Sequence, residues 1–258
     1  GAGRPGMGKT ALALSYAIGA AQQGHGVLFV SLEMSSTELA ARMVADLCFN
    51  GNDGVPYNAI RDGVLNDWQA DKVCKARDTM HRLPFHVVDA GQLTVGRLNT
   101  LIRRHARKMA ARGHKLELVI VDYLQLLSSD ARGRSNYETV SEVSRGLKAA
   151  AKDHGVAVFA LAQLSREVEK RPDKRPQLSD LRDSGQIEQD ADAVLFLLRP
   201  EYYHWQAEPE KDTSAWDKWE AELREMLGAI EFILAKRRNG VTGATFGSFY
   251  GTYQAVRG

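Results

Sequence analysis

Cysteine is scarce. Cys48 and Cys74 are the only two in 258 residues, and they form no C-x-x-C pair, which removes a disulfide framework and a thiolate zinc site. Histidine does not fill that gap, since its seven residues are scattered without metal-ligand spacing. No apolar run approaches the roughly 18 residues that span a bilayer. An excess of one charge is lacking too: 34 Lys and Arg against 32 Asp and Glu leave a net charge of +2. Nucleic acid could therefore be held only by local basic patches. There is no internal repeat and no low-complexity tract. What remains is 44% hydrophobic and 26% charged, the composition of a soluble domain with a full core. A cytoplasmic, reducing environment, no membrane and a single α/β domain are the expectations.

Against that plain background one segment stands out. Gly3-Arg4-Pro5-Gly6-Met7-Gly8-Lys9-Thr10 fits G-x-x-x-x-G-K-[ST] at every fixed position. Its glycines let backbone N–H groups turn inward around phosphate oxygens, Lys9 reaches the terminal phosphates, and the Thr10 hydroxyl can ligate Mg²⁺. Thr10 to Gln23 is rich in helix formers and stops at Gly24. The phosphates would then sit at a helix N-terminus, where orphan N–H groups and the macrodipole favour negative charge. Gly3, Gly6, Met7, Gly8, Lys9, Thr10 and Ala11 are the expected nucleotide contacts. Such a loop ordinarily follows a buried strand, yet only Gly1 and Ala2 precede it, so the chain reads as a fragment without its first strand.

Short apolar runs at Val27–Ser31, Phe85–Asp89, Leu118–Val121, Val156–Leu161, Ala193–Leu198 and Ile230–Ala235 suit strands covered on both faces. Ser36–Phe49, Asn66–Arg82, Val95–Arg112 and Asn136–His154 read as helices, several ending in Gly or His-Gly. Alternation of this kind predicts a mostly parallel, doubly wound sheet with helices on both faces. Polar residues follow the runs: Glu33, Asp122 and Gln163 join Lys9 and Thr10 at what would be the carboxyl edge, where open α/β sheets bind ligands. Asp122, directly after L-V-I-V, matches a Walker B aspartate that holds Mg²⁺, through water. Glu33 is a candidate general base for the water that attacks the γ-phosphate. The Gln163 amide could sense that phosphate. Taken singly, each of the three also reads as an ordinary polar residue of a turn or loop.

Longer strings accompany these residues: F-V-S-L-E-M-S (29–35), V-I-V-D-Y-L-Q-L-L (119–127), A-L-A-Q-L-S-R-E-V-E-K-R (160–171), S-D-L-R-D-S-G-Q-I-E-Q-D-A-D (179–192) and A-K-R-R-N-G (235–240). With the phosphate loop, they make the chain resemble the motor domain of replicative DNA helicases of the DnaB type, along nearly its whole length. The resemblance implies a RecA-like P-loop NTPase fold with a β-hairpin extension near the C-terminus. It implies a ring of six, NTP hydrolysis between neighbours, ATP or another NTP with Mg²⁺ as cofactors, and 5′→3′ movement on single-stranded DNA. Primase and a helicase loader are the implied partners. The family's N-terminal helical domain and linker helix are not in this sequence, leaving residues 1–258 as one motor domain.

Residue by residue, the resemblance gives Glu33 the role of catalytic glutamate and Gln163 that of γ-phosphate sensor. Lys236 and Arg238 match the basic pair that reaches the neighbouring subunit's nucleotide in trans, Arg238 as arginine finger. Read alone, Asn239-Gly240 is simply a hairpin turn flanked by solvated bases. The D-L-R-D-S-G stretch implies that Arg182, Asp183 and Gly185 contact the DNA backbone, with Arg132 and Arg134 as further candidates. Without the family, both stretches read as hydrated loops of mixed charge. Between Glu201 and Gly228 lie Tyr202, Tyr203, Trp205, Trp216 and Trp219. Ser214 begins a helix there, with Trp216, Trp219, Leu223, Met226 and Leu227 along one face, expected to pack on the core. A RecA-like recombinase and a nucleotide-switched loader are the competing readings. Glu33 separates motor from switch, because a switch needs no catalytic carboxylate.

Overall fold

A computed structural model describes residues 1–129, 135–181 and 185–258. The chain begins with β1 (Ala2–Gly3) and, after the phosphate loop, α1 (Lys9–Gln22). β2 (Gly26–Ser31), α2 (Ser36–Cys48), α3 (Tyr57–Asp62) and α4 (Asp67–Arg82) lead to β3 (Phe85–Asp89). β4 (Leu93–Thr94), α5 (Val95–Ala110), β5 (Leu116–Asp122), β6 (Leu127–Ser128) and α6 (Asn136–His154) follow. Next come β7 (Ala157–Ala160), β8 (Ala162–Gln163), α7 (Gly185–Asp190) and β9 (Ala193–Leu198). α8 (Pro200–Trp205), α9 (Ser214–Met226), β10 (Ala229–Arg237), β11 (Gly243–Tyr250) and β12 (Ala255–Arg257) complete it.

Four parallel strands run in the order β3-β2-β5-β7, and six more in the order β12-β11-β10-β9-β1-β8. The single apolar run expected at Val156–Leu161 serves both. β7 pairs with β5, Leu161 donates to the carbonyl of Val121 at 2.9 Å, and Ala162 then pairs with Ala2 of β1. Ala2 and the first glycine of the phosphate loop, Gly3, thus form a short strand, parallel to β8 and β9. From β9 onward the pairing is antiparallel. The expected parallel sheet holds for its centre, and the expected hairpin is β10–β11.

Alternation along β2 explains the layers. Val27 and Phe29 pack with Leu14, Ile18, Leu39 and Met43 of α1 and α2 on one face. Leu28 and Val30 pack with Leu98, Ile102, Val143 and Leu147 of α5 and α6 on the other. Each such side chain taken from water stabilises the fold by roughly 1.5–3 kcal/mol. Side-chain caps fix where the helices start: Ser35 with Glu38, Asn66 with Gln69, and Ser135 with Glu138 form reciprocal capping boxes. α9 behaves differently from expectation. None of its residues is fully buried, and it docks on α8, with Trp219 stacked on His204 at 5.4 Å and its indole N–H on the His204 carbonyl. Among the described residues, no helix is long and apolar enough to cross a membrane.

Candidate nucleotide site

Parallel pairing puts the strand ends level. Gly3 is in register with Gln163, and Ser31 with Asp122, so the residues following β1, β2, β5 and β8 crowd one rim. The phosphate loop turns there from β1 into α1 through two glycines in left-handed conformation, Gly6 (φ 80°) and Gly8 (φ 83°). Aromatic rings wall both from outside: a Cβ on Gly6 would stand 2.8 Å from Tyr202, and one on Gly8 3.2 Å from Phe249. Arg199 braces the same loop, donating to the Gly6 carbonyl at 2.7 Å. Its guanidinium is paired with the buried Glu201 and lies 4.2 Å from the Phe249 ring centre.

Lys9 Nζ donates to the carbonyls of Gly3 at 2.9 Å and Arg4 at 3.1 Å. Burial pushes its pKa down to about 8, although Asp122 and Glu33 pull it upward. Thr10 Oγ1 donates to Asp122 Oδ2 at 2.7 Å. Asp122 itself is buried, and burial raises its pKa despite the bond from Thr10. This hydroxyl and carboxylate are hard oxygen donors, suited to Mg²⁺, which typically takes one or two protein ligands and completes its shell with phosphate and water. Among the described residues, no group of three or more His, Cys, Asp or Glu could hold a metal alone. Magnesium fits here only together with a phosphate.

Glu33, Asp122 and Gln163 line one cleft of about 580 Å³ with Pro5, Gly6, Gly8, Lys9, Thr10 and Ala11, within the range of small-ligand sites. Glu33 is exposed to the cleft mouth. Gln163 is held through its backbone: the Gln125 side chain donates to its carbonyl at 3.0 Å and accepts from its N–H at 3.2 Å. That leaves the Gln163 amide side chain without a hydrogen bond to any described residue. The contact expected of Met7 is a backbone one, and its side chain does not line the cleft. Its side chain is buried in the core beside Leu12 and Leu197, and Gly3 contributes only the carbonyl beneath Lys9.

Met34, Glu38 and Tyr123 line the cleft beside expected residues, and three more distant lining residues escape sequence reasoning. Arg42 stands on α2, nine positions past Glu33, while Phe249 and Gln254 come from the far C-terminal strands. Only the helical phase of α2 after Glu33 could have pointed to Arg42. Lys236 and Arg238 do not line the cleft. A bulge between Leu234 and Lys236 re-aims β10. Lys236 Nζ donates to the Glu188 carbonyl at the end of α7, and Arg238 pairs with Asp192 at 3.3 Å. Gly185 opens α7 and is exposed. Arg182 and Asp183, like Arg132 and Arg134, lie outside the described residues.

The profile of a family described as DnaB-like helicase C terminal domain matches residues 1–257. A replicative DNA helicase DnaB of Rickettsia felis is 38% identical over 253 residues, covering 94% of this chain and 49% of its own length. One from Geobacillus stearothermophilus is also 38% identical, covering 98% of this chain and 50% of its own. The chain thus spans about half the length of these curated relatives. Among solved structures, a DnaB-like replicative helicase described with its primase interactions superposes with a TM-score of 0.83 at 33% identity. It covers 99% of this chain and 55% of that one. A second solved structure, described as an ATPase domain, gives 0.82 at 34% identity, covering 99% of this chain and 82% of that one.

Proposed function

The chain belongs to the DnaB-like helicase C-terminal domains, and from that premise we propose that residues 1–258 are the motor of a replicative hexameric helicase. The proposed motor hydrolyses ATP at subunit interfaces, moves 5′→3′ on single-stranded DNA and parts the duplex at the fork. It does so in the cytoplasm, in the company of primase and a loader. The observation that carries this reading is the convergence of Lys9, Thr10, Glu33, Asp122 and Gln163 on one cleft.

In this mechanism the loop N–H groups and Lys9 hold the β- and γ-phosphates. Thr10, with Asp122 through water, would hold Mg²⁺, which when bound offsets the charge those phosphates share. The Glu33 carboxylate takes a proton from the water as its oxygen attacks the γ-phosphorus and the bond to the β-bridging oxygen breaks, releasing ADP and phosphate. Lys236 and Arg238 approach from the adjacent subunit and stabilise the transition-state charge, making turnover conditional on assembly. Gln163 reports the γ-phosphate through the chain that follows it toward Arg182, Asp183 and Gly185. Those residues, with Arg132 and Arg134, hold the DNA backbone without reading bases.

The test is unwinding of forked duplexes by the full-length parent protein. The expected result is ATP-dependent strand separation that requires a free 5′ tail. Separation that needs only a 3′ tail, or none at all with ATP, would overturn the reading.

A further inference from the structure

Between Asp89 and Glu117 the chain has seven Lys and Arg and no Asp or Glu. The net charge of all 258 residues is only +2, so everything outside this stretch is net negative. The fold gathers the positive charge onto one helix. α5 turns Leu98, Ile102, His105 and Met109 into the core. Arg97, Arg103, Arg104, Arg107, Lys108 and, just past its end, Arg112 stand exposed. Lys115 pairs with Glu117 at 3.8 Å, but none of the other six has an ion-pair partner among the described residues. On α4, by contrast, Lys72, Lys75 and Arg77 pair with Asp53, Asp71 and Asp78.

Helix stability does not call for this pattern. Arg107 and Lys108 suit the negative end of the macrodipole, but Arg97 lies in the first turn, at the positive end. Arg103 with Arg107, and Arg104 with Lys108, set like charges four residues apart, which destabilises a helix. The field reaches the interior as well: burial and His86, then Lys108 and Arg104, push the His105 pKa down to about 4. An anionic partner would relieve all of these.

α5 connects the carboxyl end of β3 to the amino end of β5, so its basic row crosses the height of the parallel sheet. From Arg97 to Arg112 that is about 22 Å at the helical rise. A recess at the Arg97 end, lined also by Gln92, Thr94, Thr100 and Ser128, adds amide and hydroxyl groups and no carboxylate. The large exposed hydrophobic residues all lie elsewhere. The row therefore lacks the apolar anchors of a protein interface, the apolar face of a membrane-surface helix and any ring for stacking bases. Five of its six cations are arginines, whose planar guanidinium can grip phosphate with two hydrogen bonds.

We propose that the exposed face of α5 binds the phosphate backbone of DNA without reading bases, as a surface additional to the residues assigned to the DNA path above. It needs phosphates alone and stands apart from the nucleotide chemistry.

Fluorescence anisotropy of this chain with a labelled mixed-sequence single-stranded oligonucleotide, over about 50 to 200 mM salt, tests it. The double variant Arg104→Gln/Lys108→Gln should bind about tenfold or more weakly at the lowest salt and lose about 1.4 from the slope of log affinity against log salt. Arg103→Gln/Arg107→Gln should behave alike, and both losses should persist in an Arg182→Ala background. Melting temperatures at or above that of the wild type confirm the fold, since like-charge repulsion is relieved. The α4 control Lys75→Gln/Arg77→Gln should bind as the wild type does. No binding by the wild type, wild-type affinity and slope in both α5 variants, or an equal loss in the α4 control would overturn the inference. Displacement of the oligonucleotide by poly-glutamate as readily as by unlabelled DNA would overturn it too, pointing to an acidic protein instead.

Discussion

Thr10 and Asp122 share a 2.7 Å hydrogen bond across 112 positions of sequence. It ties the first turn of α1 to the end of β5 and sets the two oxygens proposed to serve magnesium next to each other. Asp122→Asn should weaken Mg²⁺-dependent ATP binding by about 10- to 100-fold while leaving metal-free ADP binding nearly unchanged. Titrations with and without Mg²⁺ measure this. An equal loss in both conditions would argue against a metal role.

Lys9 carries a pH signature. With its folded pKa lowered to about 8 from an ordinary 10.5, the unfolded chain binds the extra proton between those values. Stability therefore rises with pH across that window. Below it, the buried ammonium is a net cost, and Lys9→Met should stabilise the chain at pH 7 by about 1–3 kcal/mol. Nucleotide affinity should run the other way in the wild type, falling as pH climbs past about 8 because the phosphates need the ammonium. Denaturant melts and nucleotide titrations from pH 6 to 10 check both signs.

Arg238 is expected to act on a neighbour. In this chain it pairs with Asp192 and donates its backbone N–H to the Asp192 carbonyl at 2.8 Å. Arg238→Ala in the full-length parent should lower turnover by about 10³-fold or more with ATP binding retained. Mixing it with Glu33→Gln subunits should restore part of the activity, since some interfaces then join an intact cleft to an intact finger. Mixtures no more active than the parts would contradict action in trans.

Arg182 should contact phosphate. Arg182→Ala is expected to weaken single-strand binding similarly for all sequences and to reduce the slope of log affinity against log salt by about 1. Nucleotide affinity should persist. An unchanged slope would remove Arg182 from the DNA path.

Much of this was readable from local chemistry. β3 and β9 fall where apolar runs put them, and α6 runs from Asn136 to His154 as expected. The rim residues were legible because parallel strands align their ends. The unread parts depend on contacts remote in sequence. Leu161 looks like the end of one strand, yet its bond to Val121 lets the run switch partners from β5 to β1. Phe249 and Gln254 carry no motif and reach the cleft only because β11 and β12 fold back beside α1. Trp216 and Trp219 showed a helical stripe, but periodicity cannot say which surface a stripe meets, and here it is α8.

The most direct measurement is made on Glu33→Gln in the full-length parent, comparing ATP binding with steady-state hydrolysis. A proton acceptor at the attacking water predicts binding within about twofold of wild type and turnover lowered by about 10²-fold or more. Hydrolysis at the wild-type rate with the amide in place would contradict the account.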